Sequence, residues 1–351
     1  MRVDDFDYAL PTTAIAQGPV EPRDAARLLV LDRAASAAGQ PALSHMVFSE
    51  VGELLRSGDL LVVNDSRVIS ARLVATRPGG ATAEILLLRP IPNESDRWEA
   101  LVRPSRRIRQ GEAVALRSGD RVEVGEAVGD GTRAVRFDRD PYLVMAEAGD
   151  TPLPPYIRDR STSPSRYQTV YADPPGSAAA PTAGLHFTAE LLQSLEAGGV
   201  ARAHVTLHVG LDTFRPLEGI SVDEHHIHRE WYEMPPETAA AIAEANRNGG
   251  RVVAVGTTSV RVLETAVRDR LGSGWTDLYI TPPHDFKGVD ALITNFHLPR
   301  SSLLVLVTAF VQAGMGAGTP LESRDTLLAA YRVALAEDYR FFSFGDAMFI
   351  A

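Results

Sequence analysis

The chain has no cysteine. That excludes disulfides, thiol nucleophiles, thiolate-held zinc and iron–sulfur clusters, so any metal would need His, Asp or Glu as ligands. Lysine is almost missing too: of 35 basic residues only Lys287 is a lysine. Long apolar runs are absent. The strongest, Leu303 to Val311, is well short of the roughly 20 residues that cross a bilayer. The first residues carry Asp4, Asp5 and Asp7 where a secretory leader would be basic and then apolar. These absences point to a cytoplasmic protein.

What is present is ordinary globular material, with 45% hydrophobic and 23% charged residues over 351 positions. That length suits two domains, or one large domain with an insertion. The net charge of −10 argues against a general nucleic-acid coat. Arginines nevertheless gather locally, at Arg103, Arg106, Arg107 and Arg109 and again at Arg158, Arg160 and Arg166. Either a solvated, arginine-biased face or a groove for RNA phosphates fits them.

Residue patterning changes along the chain. Arg27–Arg33 and Asp59–Asn64 read as strands, and Phe48–Leu55 has helical spacing. Short β-rich runs recur from about 70 to 150, punctuated by glycines, and suggest a small barrel or sandwich. Residues 151–180 form a long proline-rich loop of the kind that is usually functional or disordered. Beyond it, helices are expected over 188–197, 235–248, 259–270 and 326–338. Strands are expected over 203–209, 251–255, 278–280 and 291–294, with a terminal β segment over 340–350. This alternation implies a layered α/β sheet.

Histidine is the residue type that stands out. Six of the nine lie between His186 and His228, and imidazole exchanges protons near neutral pH. Alternation puts His204, Thr206 and His208 on one face of a strand, where they are either a hydrogen-bonded structural set or part of a site. His226, His228 and Glu230 also alternate. They fit a divalent-metal site or an acid–base relay with Glu230 orienting an imidazole. The turn Gly256-Thr257-Thr258-Ser259, between a strand and a helix, is an anion site or plain capping. Thr294 to Pro299 is a capped turn, or else supplies Asn295 and His297 to a ligand. The aromatics, arginine and carboxylate of Tyr339 to Asp346 would suit a purine-like ligand or core packing.

Several of these segments are long and rich in polar residues, and they occur in a definite order: Asp5 to Pro11, Gly58 to Leu73, Tyr167 to Ala172, Ala180 to Thr188 (APTAGLHFT), His208 to Pro216, His226 to His228, Gly256 to Glu264 (GTTSVRVLE), Thr294 to Pro299 (TNFHLP) and Tyr339 to Ile350. On them the chain closely resembles, end to end, the S-adenosylmethionine:tRNA ribosyltransferase-isomerase family of queuosine biosynthesis. The departures are local: Asp212 in place of a small residue, Pro283 in place of a glycine, and a longer 312–324 connection.

The resemblance implies a mixed α/β fold, with a large layered α/β domain (1–68 together with 151–351) and an inserted small β-barrel domain (69–150). It implies transfer of the ribosyl group of S-adenosylmethionine to the aminomethyl group of a deazaguanine at the tRNA wobble position. Adenine and methionine would leave. S-adenosylmethionine is then a consumed substrate; no cofactor, metal, membrane or obligate protein partner is implied. The residues expected to carry the chemistry are His186, His208, His226, His228, His297 and Glu230. Expected substrate contacts are Asp65, Arg67, Tyr167, Gln168, Thr182, Gly184, Thr257, Thr258, Ser259, Asn295 and Asp346. Arg103, Arg106, Arg107, Arg158 and Arg166 are expected to meet tRNA phosphates. The alternative is a metal-dependent hydrolase built on His226, His228 and Glu230, with His208.

Overall fold

A computed structural model gives the architecture; it describes residues 1–129, 131–159, 162–210, 216–225, 227, 229–316 and 318–351. The chain divides into two compact units. One comprises Met1–Ser66, Pro155–Pro174 and Ala180–Ala351; the other comprises Arg67–Pro154 and Pro175–Ala179.

The larger unit is built on a nine-stranded mixed sheet. Its strands lie in the order Ser273–Thr276, Glu230–Glu233, Ala201–Leu207, Leu60–Asn64, Val252–Val255, Ala291–Asn295, Ala347–Ile350, Arg27–Ala37 and Gln40–Val47. Four neighbouring strands, Ala201–Leu207, Leu60–Asn64, Val252–Val255 and Ala291–Asn295, run parallel. Three of the four are buried along their whole length. That is why they read as near-continuous apolar runs rather than as alternation.

One face of the sheet presents Leu61, Val63, Val253, Val255, Ala291 and Ile293. They pack on Phe187, Leu191, Leu192 and Leu195 in a single core. Those leucines belong to the helix Ala189–Ala197, which starts where expected: the Thr188 hydroxyl accepts from Leu191 N–H at 3.1 Å. The helices Pro236–Arg247 and Gly256–Asp269 also match expectation to within a turn. Pro320–Ala336 starts earlier than predicted, at a capping box in which Thr319 and Glu322 satisfy each other's backbone N–H groups.

Some expectations need correction. Residues 278–280 are not a strand; the edge strand is Ser273–Thr276. The terminal β segment is only Ala347–Ile350. The apolar run at 303–311 is the heart of a buried helix, Ser302–Gly314. Among the described residues no helix is long and apolar enough to cross a membrane.

The smaller unit is a closed β-barrel. Its strands Arg72–Thr76, Thr82–Pro90, Arg97–Arg103, Thr132–Phe137, Arg121–Gly129 and Glu112–Leu116 pair antiparallel in that order. Pairing of Ala75 with Leu116 closes the ring. Alternation fills it, with Leu73, Ala75, Ile85, Leu87, Trp98, Ala100, Val102, Val122 and Val124 all inward and buried. A helix absent from the sequence reading, Pro141–Ala148, follows the last barrel strand.

Candidate active site

The four parallel strands of the larger unit end together at Asn64, Leu207, Val255 and Asn295. The next residues in the chain are Asp65 and Ser66, His208, Gly256, and Phe296 and His297. Ligands of open α/β sheets bind beyond such carboxyl ends. The motif residues therefore converge on one edge because the topology stacks their strands.

At the first strand end, Asp65 accepts from the Thr206 hydroxyl at 2.7 Å and lies 3.9 Å from Nδ1 of His204. His204 and Thr206 thus share a face, as alternation requires. Burial raises the Asp65 carboxyl above the usual range, although the Thr206 hydrogen bond and His204 pull the other way. Burial likewise lowers the imidazoles of His204 and His208. Next to Asp65, Ser66 Oγ lies 2.7 Å from Nδ1 of His208.

His186 ends the short helical turn Thr182–His186 and is buried against the Phe48 ring. Asn295 Nδ2 donates to its Nε2 at 3.1 Å and to the Phe342 carbonyl at 3.2 Å, while Asn295 Oδ1 accepts from the Thr182 hydroxyl at 3.0 Å. The Phe342 carbonyl fixes the orientation of that amide, so His186 Nε2 is an acceptor and its proton sits on Nδ1. His297 is equally enclosed. Its Nε2 meets the Thr294 hydroxyl at 2.9 Å, its N–H donates to Tyr331 Oη, and its carbonyl accepts from Tyr8 Oη. Burial lowers both imidazoles to about 3, helped at His186 by Arg340 and Arg23. Both rings therefore favour the neutral form at physiological pH.

The Glu230 carboxylate accepts from Gly210 N–H at 2.8 Å and from Arg261 Nη1. Both oxygens are engaged, which disfavours Glu230 as a metal ligand in the hydrolase alternative. His226, His228 and Asp212 lie outside the described residues. Among the described residues no group of three His, Asp or Glu side chains could hold a metal ion.

The remaining expected contacts are dispersed. Ser259 Oγ bonds back to the Val255 carbonyl, Thr257 is buried and the Thr258 hydroxyl is enclosed with no partner among the described residues. Gly256 takes φ +86°, a conformation that favours glycine, where the strand turns into the helix. A side chain at Gly184 would strike Tyr171, whose Oη lies 2.0 Å from the Cβ position. Gln168 offers its carbonyl to Arg23, and Tyr167 is fully buried with its ring edge on Phe344. Asp346 fastens the backbone, accepting N–H of Arg27 and Arg340 at 2.9 and 2.8 Å.

Among the arginines, Arg158 is exposed, whereas Arg166 is held by Glu21 and the Val20 carbonyl and is a poor phosphate contact. In the barrel unit, Arg67 is exposed. Arg103, Arg106 and Arg107 are exposed too, and Arg77 braces their turn by donating to the Arg107 carbonyl and to Glu112. Sequence reasoning missed Asn64, Ser66, Arg23 and Arg261. Only the run NDSR, polar throughout from the last residue of a buried strand onward, could have flagged the first two.

Known proteins match this chain over its full length. The family described as Queuosine biosynthesis protein matches residues 3–350. A relative from Symbiobacterium thermophilum named S-adenosylmethionine:tRNA ribosyltransferase-isomerase is 50% identical over 360 residues, covering 100% of both chains. A crystal structure of S-adenosylmethionine tRNA ribosyltransferase from Thermotoga maritima is 39% identical. It covers 99% of this chain and 100% of its own, with a TM-score of 0.54. This chain belongs to the queuosine biosynthesis protein family.

Proposed function

We propose that this protein is an S-adenosylmethionine:tRNA ribosyltransferase-isomerase. It moves the ribosyl moiety of S-adenosylmethionine onto the aminomethyl group of 7-aminomethyl-7-deazaguanine at the tRNA wobble position. The products are epoxyqueuosine in the tRNA, adenine and methionine. The observation that carries this reading is the half-identity, without truncation at either end, to a relative so named.

The chemistry defines what the site must do. The sulfonium acidifies the neighbouring C5′ protons, so a base can remove one. The acceptor ammonium must lose a proton before it attacks. Adenine leaves well only when its developing charge is met by a donor. Positioned acid–base groups are each worth about 10²–10⁴-fold. Asp65 suits the base, because burial has raised its proton affinity toward the working range. His204 lies beside it. His186 and His297, being neutral, act as fixed hydrogen-bonding supports. Thr257, Thr258 and Ser259 offer a helix N-terminus to the methionine carboxylate. The α/β unit is the catalytic domain, and Arg103, Arg106 and Arg107 of the barrel contact tRNA phosphates. The reaction belongs to the cytoplasm, where both substrates occur.

The test is incubation with S-adenosylmethionine and tRNA carrying the aminomethyl-deazaguanine, followed by mass analysis of the nucleoside. Epoxyqueuosine should form with one adenine and one methionine per nucleoside. Hydrolysis products without a modified nucleoside would overturn the reading.

A further inference from the structure

Ser66 is fully buried, and the His208 imidazole, 2.7 Å away, is the only partner of its hydroxyl among the described residues. A serine hydroxyl has one hydrogen to donate, and burying it without an acceptor costs about 1–3 kcal/mol. If Nδ1 of His208 carried the ring proton, it would donate to Ser66 Oγ, and the serine hydrogen would have nowhere to go. Among the described residues the buried serine hydrogen finds an acceptor only when Ser66 donates to Nδ1. The ring hydrogen then sits on Nε2. Among the described residues Nε2 makes no hydrogen bond, and His208 is only half-buried.

The pairing is held by one amide. Asn64 is buried, its Oδ1 accepts from Ser66 N–H and Leu207 N–H, both at 3.1 Å, and its Nδ2 donates to the Leu207 carbonyl at 3.1 Å. Asn64 thus takes the place of one more residue of strand pairing. It fixes Ser66 on one side and the residue before His208 on the other. The His208 N–H is held in turn by the Trp231 carbonyl at 3.0 Å.

We propose that Ser66 is a positioning residue that holds neutral His208 in the Nε2–H tautomer, so that His208 meets the substrate as a hydrogen-bond donor and not as a base. Burial of His208 favours the neutral ring. A neutral imidazole in this tautomer polarises a leaving group or carbonyl without transferring its proton. This role rests on the ribosyl-transfer reading; the tautomer does not.

The experiment uses the full chain with ¹⁵N-labelled histidine rings and no substrate, with the His208 signals assigned by their loss in His208→Gln. In the native protein Nε2 should be protonated and Nδ1 bare at neutral pH. Ser66→Ala should mix the two forms, and Ser66→Thr, which keeps the hydroxyl, should restore one. A protonated Nδ1 in the native protein, or an unmixed ring in Ser66→Ala, overturns the tautomer. In turnover, Ser66→Ala should lower kcat about 10–100-fold with little change in KM for S-adenosylmethionine, and Ser66→Thr should recover most of it. An unchanged kcat in Ser66→Ala overturns the donor role. Absence of adenine release by the native protein would instead sink the functional reading and leave the tautomer result standing.

Discussion

Asn295 donates to Nε2 of His186 at 3.1 Å through the same NH₂ group that donates to the Phe342 carbonyl. The imidazole is thereby locked as an acceptor inside the core. With His297 it makes two rings whose folded pKa lies near 3, against about 6.5 in an unfolded chain. Between those values the unfolded chain binds more protons, so stability is complete above about pH 6.5 and falls on acidification. Each ring contributes a slope of about 1.4 kcal/mol per pH unit. Urea midpoints should drop steeply from pH 7 to pH 5, and less steeply in His297→Gln. A flat profile would mean that the rings are hydrated.

Asp59 is expected to be a principal fastener of the central strands. Its buried carboxylate accepts from Arg56 N–H and from both the backbone and the guanidinium of Arg251. Burial alone would raise its pKa, but the Arg251 contacts and Arg56 N–H outweigh it and the value is depressed. Its contribution is therefore present above the ordinary carboxyl range and vanishes as pH falls through the depressed value. Asp59→Ala should cost about 3 kcal/mol at pH 7, read by chemical denaturation.

Glu230→Gln tests whether that carboxylate is an ion-pair partner or a ligand. As the partner of buried Arg261, its neutralisation should destabilise the fold by about 3–5 kcal/mol. Native turnover should be indifferent to dialysis against a chelator. Chelator-sensitive turnover restored by zinc would revive the hydrolase alternative.

Arg106→Ala with Arg107→Ala should weaken tRNA binding and flatten the slope of log affinity against log salt by about 1.4–1.8, two phosphate contacts' worth. Thermal stability should hardly move, since both side chains are exposed. An unaltered salt slope would send the RNA contact elsewhere on the molecule.

Much of the fold could be read from residue patterns because burial leaves a plain signature. The runs at 60–63, 252–255 and 291–293 are apolar throughout and lie in central strands, and the glycine-punctuated β-rich runs form a barrel. The Ser302–Gly314 helix escaped notice because it is buried nearly all round and shows no polar stripe. The site was half legible. Motif positions gather at the strand ends, but composition favoured histidine as the proton carrier and could not reveal burial. His186 and His297 look like reactive groups in sequence and are sealed rings in the fold. Asn64 and Ser66, whose importance lies in what their amide and hydroxyl touch, carry no sign of it in their spacing.

The contact between Gly184 and Tyr171 ties two nearby segments of the chain into one steric unit. Position 184 is confined to glycine by the volume of a phenol rather than by any special backbone angle, with Thr169 adding a second wall. Mutational tolerance there is consequently conditional: Gly184→Ala should inactivate alone. Selection for suppressors should return smaller residues at 171 or 169, so that the two segments drift through evolution only as a pair.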